Sequence, residues 1–152
     1  MYMEASVDET IFQRPGHWIA RSSRLMLRHS EERFQKLGLS VAQMPVLYAL
    51  KEGNSLTQTE LAKLAQIEQP TMAQLLTRME RDGLIRRTAN PDDKRSALIS
   101  LTPRTLKKLP RVKAILDEDA AIAFKGFTPA ETETLSRLLR RVVKNLHPDA
   151  QI

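Results

Sequence analysis

The chain contains no cysteine. That excludes disulfide frameworks, cysteine-ligated zinc, thiol catalysis and cysteine-based peroxide sensing. Glycine is scarce, at 5 residues, and aromatic side chains make up 5% of the 152 positions. No stretch approaches the roughly 18 consecutive apolar residues of a membrane-spanning helix. Glu4, Asp8 and Glu9 stand ahead of any apolar run, the reverse of a secretory signal peptide. The simple expectation is a cytoplasmic protein with no membrane partner.

Catalytic signatures are missing as well. There is no Gly-x-Ser-x-Gly elbow and no glycine-rich phosphate-cradling loop, so nothing supports an enzyme. His17, His29 and His147 are far apart in sequence. His29 and Glu32, at i and i+3, offer two ligands on one helix face where zinc takes three or four. Neither a metal nor a cofactor is expected.

What remains is a helix-rich, basic chain. Apolar residues make up 41% and charged residues 28%, the balance of a folded protein rather than a disordered one. The abundance of Leu, Ala, Arg, Lys, Glu and Gln favours a mainly α fold. Net charge is +6 and the isoelectric point is near 9.9. A nucleic-acid partner is permitted by that charge. The excess is spread along the chain, however, and by itself marks no binding face.

Helical patterning starts at Ile11 and runs to about Leu37, with Trp18, Ile19, Leu25, Met26 and Phe34 as an imperfect apolar stripe. Gly38 is suited to the residue just past a helix end. Ser40 can cap a second helix, Val41 to Lys51, whose Val46-Leu47-Tyr48-Ala49-Leu50 run reads as buried and whose second turn Pro45 would bend. After Gly53-Asn54, Thr57 and Glu60 have capping-box spacing, and Leu61, Leu64 and Ala65 supply an inward face. A further helix opens at Gln69 with Pro70 in its first turn. Met72, Leu75, Leu76 and Met79 face inward, and Gly83 ends it. Two short helices joined by a tight turn form a helix-turn-helix outline.

The next segment changes character. Leu84–Thr88 and Ala97–Leu101 are strand-length runs separated by Asn90-Pro91-Asp92-Asp93-Lys94-Arg95, a stretch of turn formers and charges. They predict a small β-hairpin with a basic tip, a wing. Thr102-Pro103 then starts a helix toward Phe124, with Pro110 predicting a kink or break. Gly126 closes it. Thr128-Pro129-Ala130-Glu131 opens a last helix, along which Leu135, Leu138, Leu139, Val142, Val143 and Leu146 recur at helical spacing.

The order helix, helix, hairpin, helix, with Asp93-Lys94-Arg95 followed by Leu98-Ile99-Ser100-Leu101-Thr102-Pro103, resembles the Asp-x-Arg…Leu-Thr-Pro signature of MarR-family regulators. Ile67-Glu68-Gln69-Pro70-Thr71 and Leu84-Ile85-Arg86-Arg87 look most like the SlyA branch. The likeness extends from about Gly16 to Leu146. It departs from the family pattern at Gln66, where relatives often place glycine, at Gln74, where many have arginine, and at Thr105, a common glycine.

This resemblance implies a winged helix-turn-helix DNA-binding lobe over residues 39–102. An α-helical dimerisation lobe would be built from 1–38 and 103–152. It also implies a homodimer on pseudo-palindromic double-stranded DNA, with helix 69–82 in the major groove and wing 88–97 in the minor groove. Gln69, Pro70, Thr71, Gln74, Thr77 and Arg78 then face DNA from the helix, and Arg86, Arg87, Asp93, Lys94 and Arg95 from the wing. The chemistry fits these assignments. Gln pairs bidentately with adenine and Arg with guanine, a helix N-terminus favours phosphate, and arginine suits a narrow minor groove. Asp93 is expected to orient the Arg95 guanidinium as a salt-bridge partner.

Relatives often bind small aromatic or phenolic acids between the two lobes. By position, Trp18, Arg21, Arg24, Met44 and Tyr48 would line such a site, arginine beside aromatics being suited to an amphipathic anion. Repression is the expected mode. The rival from another class is a winged-helix protein-interaction module whose wing charges only solubilise it. Steep salt dependence of DNA binding discriminates the two.

Overall fold

Prolines decide where the helices begin. The computed structural model describes residues 9–149, and of the chain's 8 prolines, Pro15, Pro45, Pro70, Pro103, Pro110 and Pro129 each occupy the first or second position of an α-helix. At those positions the missing N–H has no intrahelical acceptor to lose, and the fixed φ is already helical.

Three expected boundaries change for this reason. The pattern from Ile11 to Leu37 is a 3-10 turn, Glu9–Gln13, followed by α1, Pro15–Gln35. The helix expected over 41–51 is a 3-10 turn, Val41–Gln43, then α2, Met44–Ala49. Pro45 therefore starts a helix instead of bending one. The helix expected from 103 to Phe124 is broken into α5, Pro103–Leu106, and α6, Leu109–Ala123, with Pro110 in the first turn of α6.

Side-chain caps reinforce two of these starts and make a further one. Ser40 and Gln43 form a capping box ahead of α2, and Thr57 with Glu60 forms another at α3, Gln58–Ala65. Thr128 and Glu131 repeat it at α7, Pro129–Leu146. Gly38, at φ 69°, lets the Leu39 N–H turn back to the Phe34 carbonyl at 3.0 Å, closing the end of α1.

Between α3 and α5 lie α4, Gln69–Arg81, and the strands β2, Ile85–Ala89, and β3, Ala97–Leu101. The expected hairpin is present, antiparallel with Ile85 opposite Leu101 and Ala89 opposite Ala97. A third strand, β1, Leu56–Thr57, joins the other side of β3 with Leu56 opposite Ile99. The sheet order is β1-β3-β2. Two residues are too short to carry an alternation, so β1 leaves no periodic trace in the sequence.

The chain divides into two compact units, residues 1–116 and 117–152. The core of the first is a single cluster that includes Phe34, Leu47, Leu50, Leu61, Met72, Leu76, Met79, Ile99 and Ile115. Two expected core residues lie outside it. Tyr48 is 67% exposed, because a run of five apolar residues on a helix must point at least one outward, and Leu64 on α3 is 56% exposed. In the second unit, α7 has no buried residue. Its Leu138, Leu139, Val142, Val143 and Leu146 are all exposed along one helical face.

Candidate nucleic-acid interface

α4 presents two distinct faces. Met72, Leu75, Leu76 and Met79 are all buried. Gln69, Pro70, Thr71, Gln74, Thr77 and Arg78 are all exposed. Ala73, Gln74, Thr77 and Arg78 line a shallow groove of about 420 Å³ on that outer face. Two polar groups are already engaged. The Thr77 hydroxyl donates to the Ala73 carbonyl at 2.9 Å, and the Gln69 side-chain carbonyl accepts from Gln58 Nε2 at 3.1 Å. Gln69 keeps its own amide donors, and Gln74 and Arg78 project without such constraint.

α4 follows α3 through a turn that needs a left-handed residue. Gln66 supplies it at φ 54° and ψ 42°, its N–H directed to the Ala62 and Lys63 carbonyls. The side chain at the family's glycine position therefore leaves the turn geometry of a glycine intact.

The wing tip is braced by its own polar groups. Asn90 Oδ1 accepts from the Asp92 N–H at 3.0 Å, and Asn90 Nδ2 donates to Ser96 Oγ at 2.9 Å. Asp93 Oδ1 accepts from the backbone N–H of Arg95 at 2.9 Å. The expected partner was the guanidinium. A short carboxylate reaches an amide two residues on more readily than the end of a long side chain. The result leaves Lys94 and Arg95 with exposed charged ends.

The two strand arginines differ. Arg86 is exposed, its Nε donating to Ser100 Oγ at 3.3 Å across the sheet. Arg87 is half-buried and its Nε donates to Glu80 Oε2 on α4 at 3.0 Å.

Among the residues of the aromatic-acid expectation, Trp18 and Arg21 come together, the guanidinium lying 6.0 Å from the indole centroid. His17 packs edge-on to the same ring at 5.3 Å. Tyr48 pairs instead with Lys51, 4.2 Å from its centroid. Arg24 is exposed, and Met44 packs against the core. His29 and Glu32 border a depression with Leu25, Arg28 and Arg33. Among the described residues no three metal-ligating side chains converge.

Comparison with known proteins accords with this geometry. The MarR family model matches residues 37–96. The chain is 32% identical over 126 residues to the uncharacterized HTH-type transcriptional regulator YwoH of Bacillus subtilis, covering 82% of this chain and 90% of that protein. The chain belongs to the MarR family. The HTH-type transcriptional repressor IacR of Pseudomonas putida is 29% identical over 132 residues, 87% of this chain and 79% of its own.

Among solved MarR-family structures, a cysteine-to-serine mutant of E. coli MarR complexed with operator DNA superposes with a TM-score of 0.80 at 25% identity. That match covers 90% of this chain and 99% of the other. SlyA shares the fold at a TM-score of 0.79 and 24% identity, over 87% and 93% of the two chains. This MarR-family chain is thus a transcriptional regulator and not an enzyme.

Sequence patterning did not reveal how this MarR-family chain fixes the turn between α4 and the wing. Three successive carbonyls there are collected by side chains at the start of α5. Arg104 donates to the Asp82 carbonyl at 2.7 Å, the Thr102 hydroxyl to Gly83 at 2.9 Å, and the Thr105 hydroxyl to Leu84 at 2.8 Å. Thr105 is fully buried. Its hydroxyl, at a common family glycine, was the available signal.

Proposed function

We propose that the chain acts as a homodimeric repressor of transcription on a pseudo-palindromic double-stranded DNA site. Residues 39–102 form the DNA-binding lobe, and residues 1–38 with 103–152 the dimerisation lobe. The observation that carries this is the division of α4, whose apolar set is wholly buried while its polar set is wholly exposed. A basic wing tip with free charged ends follows it.

In this reading, Gln69, Pro70, Thr71, Gln74, Thr77 and Arg78 enter the major groove, where the amide and guanidinium read base edges. Arg95 with Lys94 enters the minor groove, Asp93 shapes their turn, and Arg86 contacts phosphate. Dimerisation is supported by the exposed apolar face of α7. Such a face is covered by a second copy in a symmetric pair, which sets two copies of α4 about 34 Å apart on one side of the duplex. A small aromatic or phenolic acid would act as the releasing ligand, and the Trp18–Arg21 pair is its best-supported contact.

Fluorescence anisotropy on a labelled duplex from the region upstream of its own gene, with excess random DNA, tests the proposal. Binding of two subunits per site that survives the competitor and weakens on Arg95→Ala is expected. Binding that random DNA abolishes, or that ignores Arg95→Ala, favours the protein-interaction alternative. Light scattering at micromolar concentration tests the dimer. Displacement from DNA by salicylate-like acids tests the ligand.

A further inference from the structure

Glu80 is an anomaly on a helix meant for a polyanion. It lies on α4 with 46% of its side chain exposed, and a carboxylate brought near phosphates opposes binding. Its partner is Arg87, 29% exposed, at 3.0 Å. Along β2, Ile85 and Arg87 share one face because side chains alternate, and Ile85 is buried on the core side. The Arg87 stem thus lies over the core face opposite Ile99, and its head turns toward α4. Arg86, on the other face, points away from that contact.

We propose that Glu80 is a positioning residue for operator recognition. Its carboxylate holds Arg87 so that the wing keeps one orientation relative to α4, and Arg87 serves Glu80 rather than a phosphate. The inference rests on the DNA-binding reading above. A partly exposed pair of this kind adds little to folding stability. Its effect belongs to the register between two elements that must enter two grooves together. Specificity is where that effect is read, since a sequence-independent phosphate contact has no comparable need for it.

The test uses the full-length protein and two labelled duplexes. One is enriched by the wild-type protein from a randomised pool, and the other is its scrambled counterpart. Wild type, Glu80→Gln, Arg87→Gln and the charge-reversed Glu80→Arg/Arg87→Glu pair are titrated by anisotropy, with thermal unfolding alongside. Glu80→Gln removes a negative charge, so simple electrostatics would tighten both complexes.

Positioning requires the opposite on the enriched duplex. Binding there weakens by about threefold to tenfold, as expected for coupled neighbours. The scrambled duplex holds or tightens, and the melting temperature moves by no more than about 4 °C. The charge-reversed pair keeps the net charge and restores at least half of the lost specificity ratio.

Equal tightening on both duplexes overturns the inference. So does an unchanged ratio in Glu80→Gln beside a salt slope lowered by about one in Arg87→Gln, the signature of a phosphate contact. If the wild-type protein enriches no sequence, the DNA-binding reading fails and this inference falls with it. Enrichment by wild type with an unaltered Glu80→Gln sinks the inference alone.

Discussion

Replacing Gln66 by glycine should stabilise the protein. Gln66 closes α3 in the left-handed region, at φ 54° and ψ 42°, and among the described residues it is the one non-glycine with positive φ. Its side chain is exposed, so the substitution acts through the backbone. An L-residue in that region is disfavoured by roughly 1–2 kcal/mol. Glycine removes the Cβ clash but gives the unfolded chain more freedom, an opposing effect of about 0.5–1 kcal/mol. The difference centres on a net gain of about 0.75 kcal/mol, between bounds of about 0 and 1.5 kcal/mol. For a domain of this size it corresponds to a rise of about 1–4 °C in melting temperature.

Calorimetry at one fixed protein concentration reads the change, because melting of the proposed dimer would depend on concentration. Gln66→Ala keeps the Cβ and should show no comparable gain, while Gln66→Val, branched at Cβ, should fall below wild type. DNA affinity should hold within about twofold in Gln66→Gly, since the turn that aims α4 already has a glycine's conformation. A glycine variant no more stable than wild type would refute the reasoning. So would an alanine variant that gains as much as glycine.

Thr105→Val should lower stability by about 1 kcal/mol in urea unfolding. The Leu84 carbonyl keeps the Thr102 N–H at 3.0 Å, so a loss above about 3 kcal/mol would contradict this accounting. Leu139→Glu with Val143→Glu, on the exposed face of α7, should convert the proposed dimer to monomer by analytical ultracentrifugation. Retention of the dimer would place the interface elsewhere.

The carboxyls of Glu60 and Glu131 are held below their usual 4.5 by backbone N–H and then hydroxyl donation from Thr57 and Thr128. A lowered folded value stabilises above the unfolded pKa and is lost as pH falls through the folded one. Melting temperature should therefore drop as pH goes from about 5 to about 3. The Glu60→Gln/Glu131→Gln protein should drop less; an identical acid profile would exclude these caps as a source.

Much of the fold was legible because it is periodic or punctuated. Met72, Leu75, Leu76 and Met79 recur at helical spacing and all are buried. The Thr57–Glu60 and Thr128–Glu131 boxes were readable because both partners lie within one turn. Pro45 was misread for a physical reason, while the break expected at Pro110 is present. Within an unbroken apolar pattern proline looks like a defect, yet a short 3-10 turn or a break costs less than an interior ring clash, so the chain starts a new helix there. The two-residue strand β1 is below the length at which alternation exists at all.

The candidate interface divides along the same line. Its outward residues are found by subtraction, as the positions a buried stripe leaves free, and subtraction needs only local sequence. What holds them in place depends on pairs that folding brings together. Arg104 reaches Asp82 across 22 positions, Thr105 reaches Leu84 across 21, and Arg87 reaches Glu80 across 7 on a different element.

Two of these partners are backbone carbonyls, present at every position, so no side-chain motif can announce them. The carbonyls of 82, 83 and 84 follow α4 and precede β2, where an unpaired group would be filled by water and the angle between helix and wing left loose. Thr102, Arg104 and Thr105 close that gap from α5. The turn between α4 and the wing is therefore held from α5, by residues outside the exposed polar set of α4.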